Sequence, residues 1–154
     1  YSLSTRWTTA KGEAFKLNQL KGKKSVITLF YTSCRTICPM TVDHMKSVEK
    51  ALGENAKKVN FVMVTIDPKN DKVTELKKFS DQHNVGNWTF LAGTEAQTRQ
   101  LAADLTLGYG DKPGNDNLHQ MHSLAFAVVS EQGKVLGTLP TMNPDLAKAQ
   151  ELLR

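Results

Sequence analysis

The chain has little of what several common architectures depend on. Only two of its 154 residues are cysteines, too few for a disulfide-stapled scaffold or the four-cysteine zinc sites. A single bridge between them would close so short a loop that it would add little stability. Long apolar runs are missing too. The longest, around Val26 to Tyr31, falls far short of the ~20 residues a membrane-spanning helix needs. No segment has the charged–apolar–small order of a secretory signal, and the chain opens on Tyr1 rather than Met. It therefore reads as a mature or trimmed soluble piece, with an upstream signal or anchor expected. The lysines carry the net charge of +5, but they are interleaved with Asp and Glu rather than with exposed aromatics. That pattern argues against nucleic-acid binding and for a solvated surface, with steering of an acidic protein partner as the alternative. No internal repeat, low-complexity tract or linker divides the chain. At 40% hydrophobic it is long enough to bury one core, and residues 1–154 are expected to form a single domain.

The pattern of elements is alternating. Thr5 to Thr9 and Phe15 to Leu17 flank Gly12 and predict an N-terminal β-hairpin. Ser25 to Tyr31 is β-branched, aromatic and apolar on both faces, as a central strand should be. Pro39 suits the first turn of a helix in which Met40, Val42, Met45, Val48 and Leu52 recur at helical spacing, with Gly53 as the stop. Val59 to Ile66 predicts a second buried strand, and Asp71 the N-cap of a helix toward His83. Asn84 to Gly86 close that helix, and Trp88 to Leu91 form a short strand. Thr94 with Gln97 reads as a capping box for a helix to Leu105. Gly108 to Asn117 is a polar loop expected to move. Ser123 to Val129 and Val135 to Thr138 form a hairpin around Glu131–Lys134, and a last helix runs from Asn143 through Leu153. The order implies a layered α/β domain with a mixed sheet.

The two cysteines fall in Cys34-Arg35-Thr36-Ile37-Cys38-Pro39, between the first core strand and the following helix. Reactive groups collect at the carboxyl ends of strands in open α/β sheets. A helix N-terminus favours the thiolate, and Arg35 adds a full positive charge nearby. Inert buried cysteines would sit instead within an apolar periodic run. The pair can cycle between dithiol and disulfide or bind a thiophilic metal, and the spacing does not choose between them. His122, just before the Ser123–Val129 strand, is the candidate third ligand. Two thiolates and an imidazole suit Cu(I), and with one more ligand Cu(II) or Zn(II). Whether His122 shares the cysteines' edge depends on strand direction, which sequence leaves open. Asp67, ending the second core strand before Pro68, is a secondary candidate that also reads as a turn residue. His119 reads as a loop residue, Met121 and Met142 as packing residues, and His44 and His83 as surface positions on helices.

Phe30-Tyr31-Thr32-Ser33-Cys34-x-x-x-Cys38-Pro39, then Thr65-Ile66-Asp67-Pro68-x-x-Asp71, then His122-Ser123 before an apolar strand and a Gly133 turn, resemble the Sco/SenC family over about Thr8 to Leu153. The resemblance implies a thioredoxin-like fold: a central mixed sheet flanked by helices, with the N-terminal hairpin. It implies that Cys34, Cys38 and His122 bind copper, as Cu(I) or Cu(II), and that the two cysteines can also form a redox-active disulfide. It implies a metallochaperone rather than an enzyme, assisting assembly of the dinuclear copper site of cytochrome c oxidase. Its partner would be the copper-site subunit of the oxidase or another copper chaperone. A thiol–disulfide reductase acting on the oxidase's copper-ligating cysteines, or a redox or copper sensor, would use the same residues. The family implies a periplasmic or otherwise extracytoplasmic location with a membrane tether, and the chain is expected to act as a monomer. Arg35 stands where many family members carry proline; its cation favours the thiolates and opposes a cationic metal.

Overall fold

The computed structural model describes residues 6–30, 37–66, 72–105, 125–140 and 146–153. They form a seven-stranded mixed sheet whose strands are β1 (Arg6–Thr9), β2 (Ala14–Lys16), β3 (Lys24–Phe30), β4 (Val59–Thr65), β5 (Thr89–Ala92), β6 (Ala125–Val129) and β7 (Val135–Pro140), in the spatial order β2-β1-β5-β4-β3-β6-β7. Among the described residues, four helices accompany it: α1 (Ile37–Leu52), α2 (Val73–Gln82), α3 (Glu95–Asp104) and α4 (Leu146–Leu153). The α/β class, the mixed sheet and the N-terminal hairpin are as the sequence predicts.

β3 and β4 are central because both faces are apolar. Val26, Ile27, Leu29 and Phe30 are buried, as are Phe61, Val62, Met63 and Val64. They pair in parallel from Lys24 opposite Val59 to Phe30 opposite Thr65, and β4 also pairs in parallel with β5. The hairpins supply the antiparallel strands on either side. Gly12 turns the first with φ +77°, a conformation that costs a side-chain-bearing residue energy. Thr9 and Glu13 close that turn, the Thr9 amide donating to the Glu13 carbonyl at 2.9 Å.

α1 buries Val42, Met45, Val48 and Leu52, the stripe its periodicity predicts. Gly53, at φ +57°, ends it. The chain then runs on as a 3-10 turn over Gly53–Lys58, which the polar GENAKK segment gives no apolar signal for. α4 packs against α1 and β7. Thr94 and Gln97 make the capping box of α3: the Gln97 amide donates to Thr94 Oγ1 at 3.1 Å, and the Thr94 amide to Gln97 Oε1 at 2.6 Å.

Three local expectations shift. α2 begins at Val73 with Lys72 at the cap position and no cap bond from its side chain; the predicted cap, Asp71, lies outside the described residues. β5 starts at Thr89, because Trp88 belongs to the preceding turn, its amide donating to the Val85 carbonyl at 3.0 Å. His44 and His83 are half-buried rather than on the surface. The ring of His83 lies 4.5 Å from that of Phe79, and His44 Nδ1 is buried with no hydrogen-bond partner among the described residues. The loop Gly108–Asn117 lies outside the described residues.

Candidate metal centre

Cys38 takes the second position of α1 and Pro39 the third, so both stand in the first turn, where the helix amides lack intrahelical partners. Cys34, Asp67 and His122 lie outside the described residues. The elements that lead to them are described. β3 ends at Phe30, four positions before Cys34. β4 ends opposite it, with Thr65 paired to Phe30 and the Ile66 amide donating to the Phe30 carbonyl at 2.8 Å. The strand-direction question is resolved by β6, which runs antiparallel to β3 with Ser25 opposite Val129 and Ile27 opposite Ala127. β6 therefore begins toward the end at which β3 finishes. The exits of β3 and β4, the entrance of β6 and the N-terminus of α1 all belong to one edge of the sheet.

The floor of that edge is an aromatic cluster that the sequence reading did not single out. Phe30 is fully buried, with ring centroids 5.0 Å from Phe79 and 5.7 Å from Phe90. Phe79 and Phe90 lie 6.0 Å apart in an edge-on arrangement. Three elements thus lock together at the last residue of β3. The sequence signal was the position of Phe30 at the end of an apolar strand, directly ahead of the cysteine segment. With Thr65 and Ile66 also buried beside it, the edge rests on a close-packed base that holds its backbone positions steady.

α1 extends from the edge toward the opposite end, and its far half meets polar groups. Glu49 accepts from Trp88 Nε1 at 3.0 Å and from Asn87 Nδ2 at 3.3 Å, tying α1 to the turn before β5. His83 lies near Asp43 and Lys46 of α1. Burial lowers its pKa from the ordinary value near 6.5, the Lys46 ammonium lowers it further, and Asp43 opposes both. Among the described residues, no group of three or more His, Cys, Asp or Glu side chains is arranged to hold a metal. None of their helices is long and apolar enough to cross a membrane.

Comparison with known proteins agrees with this architecture. The chain is 33% identical over 129 residues to the SCO1 protein homolog of Bacillus subtilis, covering 81% of this chain and 66% of that protein. A SCO1/SenC family lipoprotein from Bacillus anthracis superposes with a TM-score of 0.83 at 26% identity, over 97% of this chain and 90% of that one. BsSco, described as a member of the Sco family of cytochrome c oxidase assembly proteins with a disulfide switch, superposes with a TM-score of 0.80 at 26% identity, over 99% and 93%. The copper-bound ScoI of Bradyrhizobium japonicum shares the fold, with a TM-score of 0.75 at 21% identity over 99% and 98%. The SCO1/SenC family model matches residues 5–154. A thioredoxin-like sheet with its cysteine-bearing helix at the carboxyl edge, matched by that model along nearly its whole length, makes this chain a member of the SCO1/SenC family.

Proposed function

We propose that Cys34, Cys38 and His122 hold one copper ion as cargo and pass it to the copper site of a cytochrome c oxidase. The observation that carries the reading is the direction of β6. Because it runs antiparallel to β3, it starts at the edge where β3 ends and α1 begins. His122 precedes Ala125 by only three residues, at most about 10 Å of chain. The donor set supports copper on chemical grounds: thiolates and imidazole are soft ligands, and a relative with this fold is known with copper bound.

Binding needs both thiols deprotonated and the imidazole neutral, so affinity falls as pH falls. The N-terminus of α1 stabilises the Cys38 thiolate in the apo protein, and Arg35 adds to that stabilisation. Transfer is ligand exchange: each acceptor thiolate replaces one donor on the copper, and no electrons change hands. Asp67, directly after Ile66 in sequence, is the secondary candidate neighbour of the site. The domain works outside the cytoplasm on a membrane tether, as the relation to a lipoprotein of the same family supports.

The disulfide switch of a relative favours a second reading. In it, reduced Cys34 and Cys38 donate two electrons and two protons to a disulfide of the acceptor and are left joined to each other. Two variants test the site. His122→Ala is expected to weaken copper binding of the reduced protein by 10-fold or more, with disulfide exchange rates little changed. Cys38→Ser is expected to abolish both. Unchanged copper affinity in His122→Ala would remove that residue from the site.

A further inference from the structure

The end of the sheet opposite the cysteines carries a concentration of charge that the copper reading does not use. β3 and β4 start there, and β6 and β7 turn there. Three loops meet at this pole: the one entering β3, the Gly53–Lys58 turn entering β4, and the β6–β7 turn. The Gly22 amide donates to the Glu131 carbonyl at 3.1 Å, joining the first and third, and Lys23 Nζ donates to the Lys57 carbonyl of the second at 3.4 Å. The three loops bring Lys21, Lys23, Lys57, Lys58 and Lys134 together as exposed side chains. Lys24, half-buried, donates to the Leu152 carbonyl at the end of α4 at 3.1 Å. Against these six lysines stand Glu54, Glu131 and Glu151, an excess of three positive charges in a chain whose net charge is +5. Lys23, Lys24 and Lys58 line a notch of about 300 Å³ together with Gly22, Asn55 and Glu131.

We propose that this pole is an anionic-lipid contact, with phosphate headgroups seated against the lysines and one able to enter the notch. The side-chain types decide between partners. Protein interfaces are enriched in aromatics and arginine and depleted in lysine, and the three loops contain neither aromatic nor arginine. Nucleic-acid surfaces for single strands stack bases on aromatics, which these loops also lack. Flexible lysines against a diffuse negative surface are the chemistry of lipid contact, each adding a modest increment near the surface. The geometry gives the contact a consequence. β3 spans seven residues, about 23 Å at 3.3 Å per residue, and Cys38 stands at its far end. A domain resting on its lysine pole turns the cysteine edge away from the bilayer, toward partners in the aqueous space.

The proposal goes beyond the copper reading and does not rest on it, since lipid contact needs no metal. The test is co-sedimentation of the metal-free chain with phosphatidylglycerol/phosphatidylcholine vesicles against pure phosphatidylcholine. Binding is expected only to the anionic vesicles and is expected to weaken as salt rises. Combined Lys21→Gln, Lys57→Gln, Lys58→Gln and Lys134→Gln substitution removes four exposed charges from the pole. It should reduce partitioning on the order of a hundredfold or more. Lys11→Gln, Lys16→Gln, Lys77→Gln and Lys78→Gln remove the same charge from exposed positions on the hairpin and α2 and should cost at most a few-fold. The single reversal Lys58→Glu gives an independent reading with minimal disturbance of the fold, and a several-fold loss is expected. Equal loss in the two quadruple variants would reduce the effect to net charge and overturn the proposal. So would retention by a polyglutamate resin with no vesicle binding at low salt, which would mark the pole as a surface for acidic proteins.

Discussion

Where β3 and β4 finish, three buried rings from three elements interlock; where they begin, a buried Phe61–Trp88 pair lies beside a rim of exposed lysines. At the first end Phe30, Phe79 and Phe90 interlock beneath the segment that leads to the cysteines, with Thr65 and Ile66 buried beside them. At the second, the Phe61 and Trp88 rings stack 5.9 Å apart beneath loops whose rim is exposed lysine, held by scattered bonds such as Lys23 Nζ donating to the Lys57 carbonyl at 3.4 Å. Metal ligands contributed by separate segments need strand ends that do not drift, and close packing supplies that stiffness. A surface for diffuse charge contact needs only proximity and number of cations, and long flexible side chains serve it better.

If the ends differ in this way, substitutions should act unequally on them. The largest effect is expected from Phe30→Ala. Removing a fully buried ring that touches two others should cost about 3–5 kcal/mol in denaturant unfolding. Hydrogen exchange should quicken at the Phe30–Ile66 end before it does at the Lys24–Val59 end. Uniform loosening of both ends would break the comparison.

Glu49→Ala should cost about 1–3 kcal/mol, since it leaves the buried Trp88 indole N–H without its acceptor. Glu49→Gln, which keeps a carbonyl oxygen, should cost less, and thermal unfolding of the pair separates loss of the acceptor from loss of charge. Thr94→Ala removes one half of the capping box and should lower stability by about 1 kcal/mol. Chemical denaturation should show an unchanged slope, because the exposed surface on unfolding is the same.

The smallest effect is electrostatic. His83 has its pKa lowered in the folded state by burial and by Lys46, so the unfolded chain binds its proton more readily. Its contribution is fully present above the ordinary value near 6.5 and is lost as pH falls through the lower folded value. Replacing it, as His83→Gln, should flatten that acid-side decline in a pH series of melting curves, whereas a steeper decline would contradict the assignment.

Much of this was legible in the sequence because one physical signal dominated each element. The two-faced apolar runs of β3 and β4, the stripe of α1, the glycine of the first turn and the Thr94–Gln97 box all appear where periodicity and local chemistry put them. What was missed lacked such a signal. Lys72 occupies the α2 cap position although Asp71 is the better capping residue by type, and GENAKK turns as a 3-10 segment without an apolar residue that is buried. The Phe30–Phe79–Phe90 cluster joins residues far apart in sequence, which no local pattern reveals. The clustering of lysines was hidden for the same reason: dispersed along the chain, they converge only when parallel strands align their starts. For the candidate site, the sequence supplied Cys34, Cys38, His122 and Asp67 as types and spacings, and strand direction supplied the edge shared by the exits of β3 and β4 and the entrance of β6.

Copper delivery by this chain requires the reduced thiol pair to be a copper ligand. The direct measurement is an anaerobic Cu(I) titration against a competing chelator, first on the fully reduced chain and then on its disulfide form. One tightly held copper per reduced chain is expected, and none after oxidation. No tight copper in the reduced chain, or the same affinity in both forms, would contradict copper delivery by this chain.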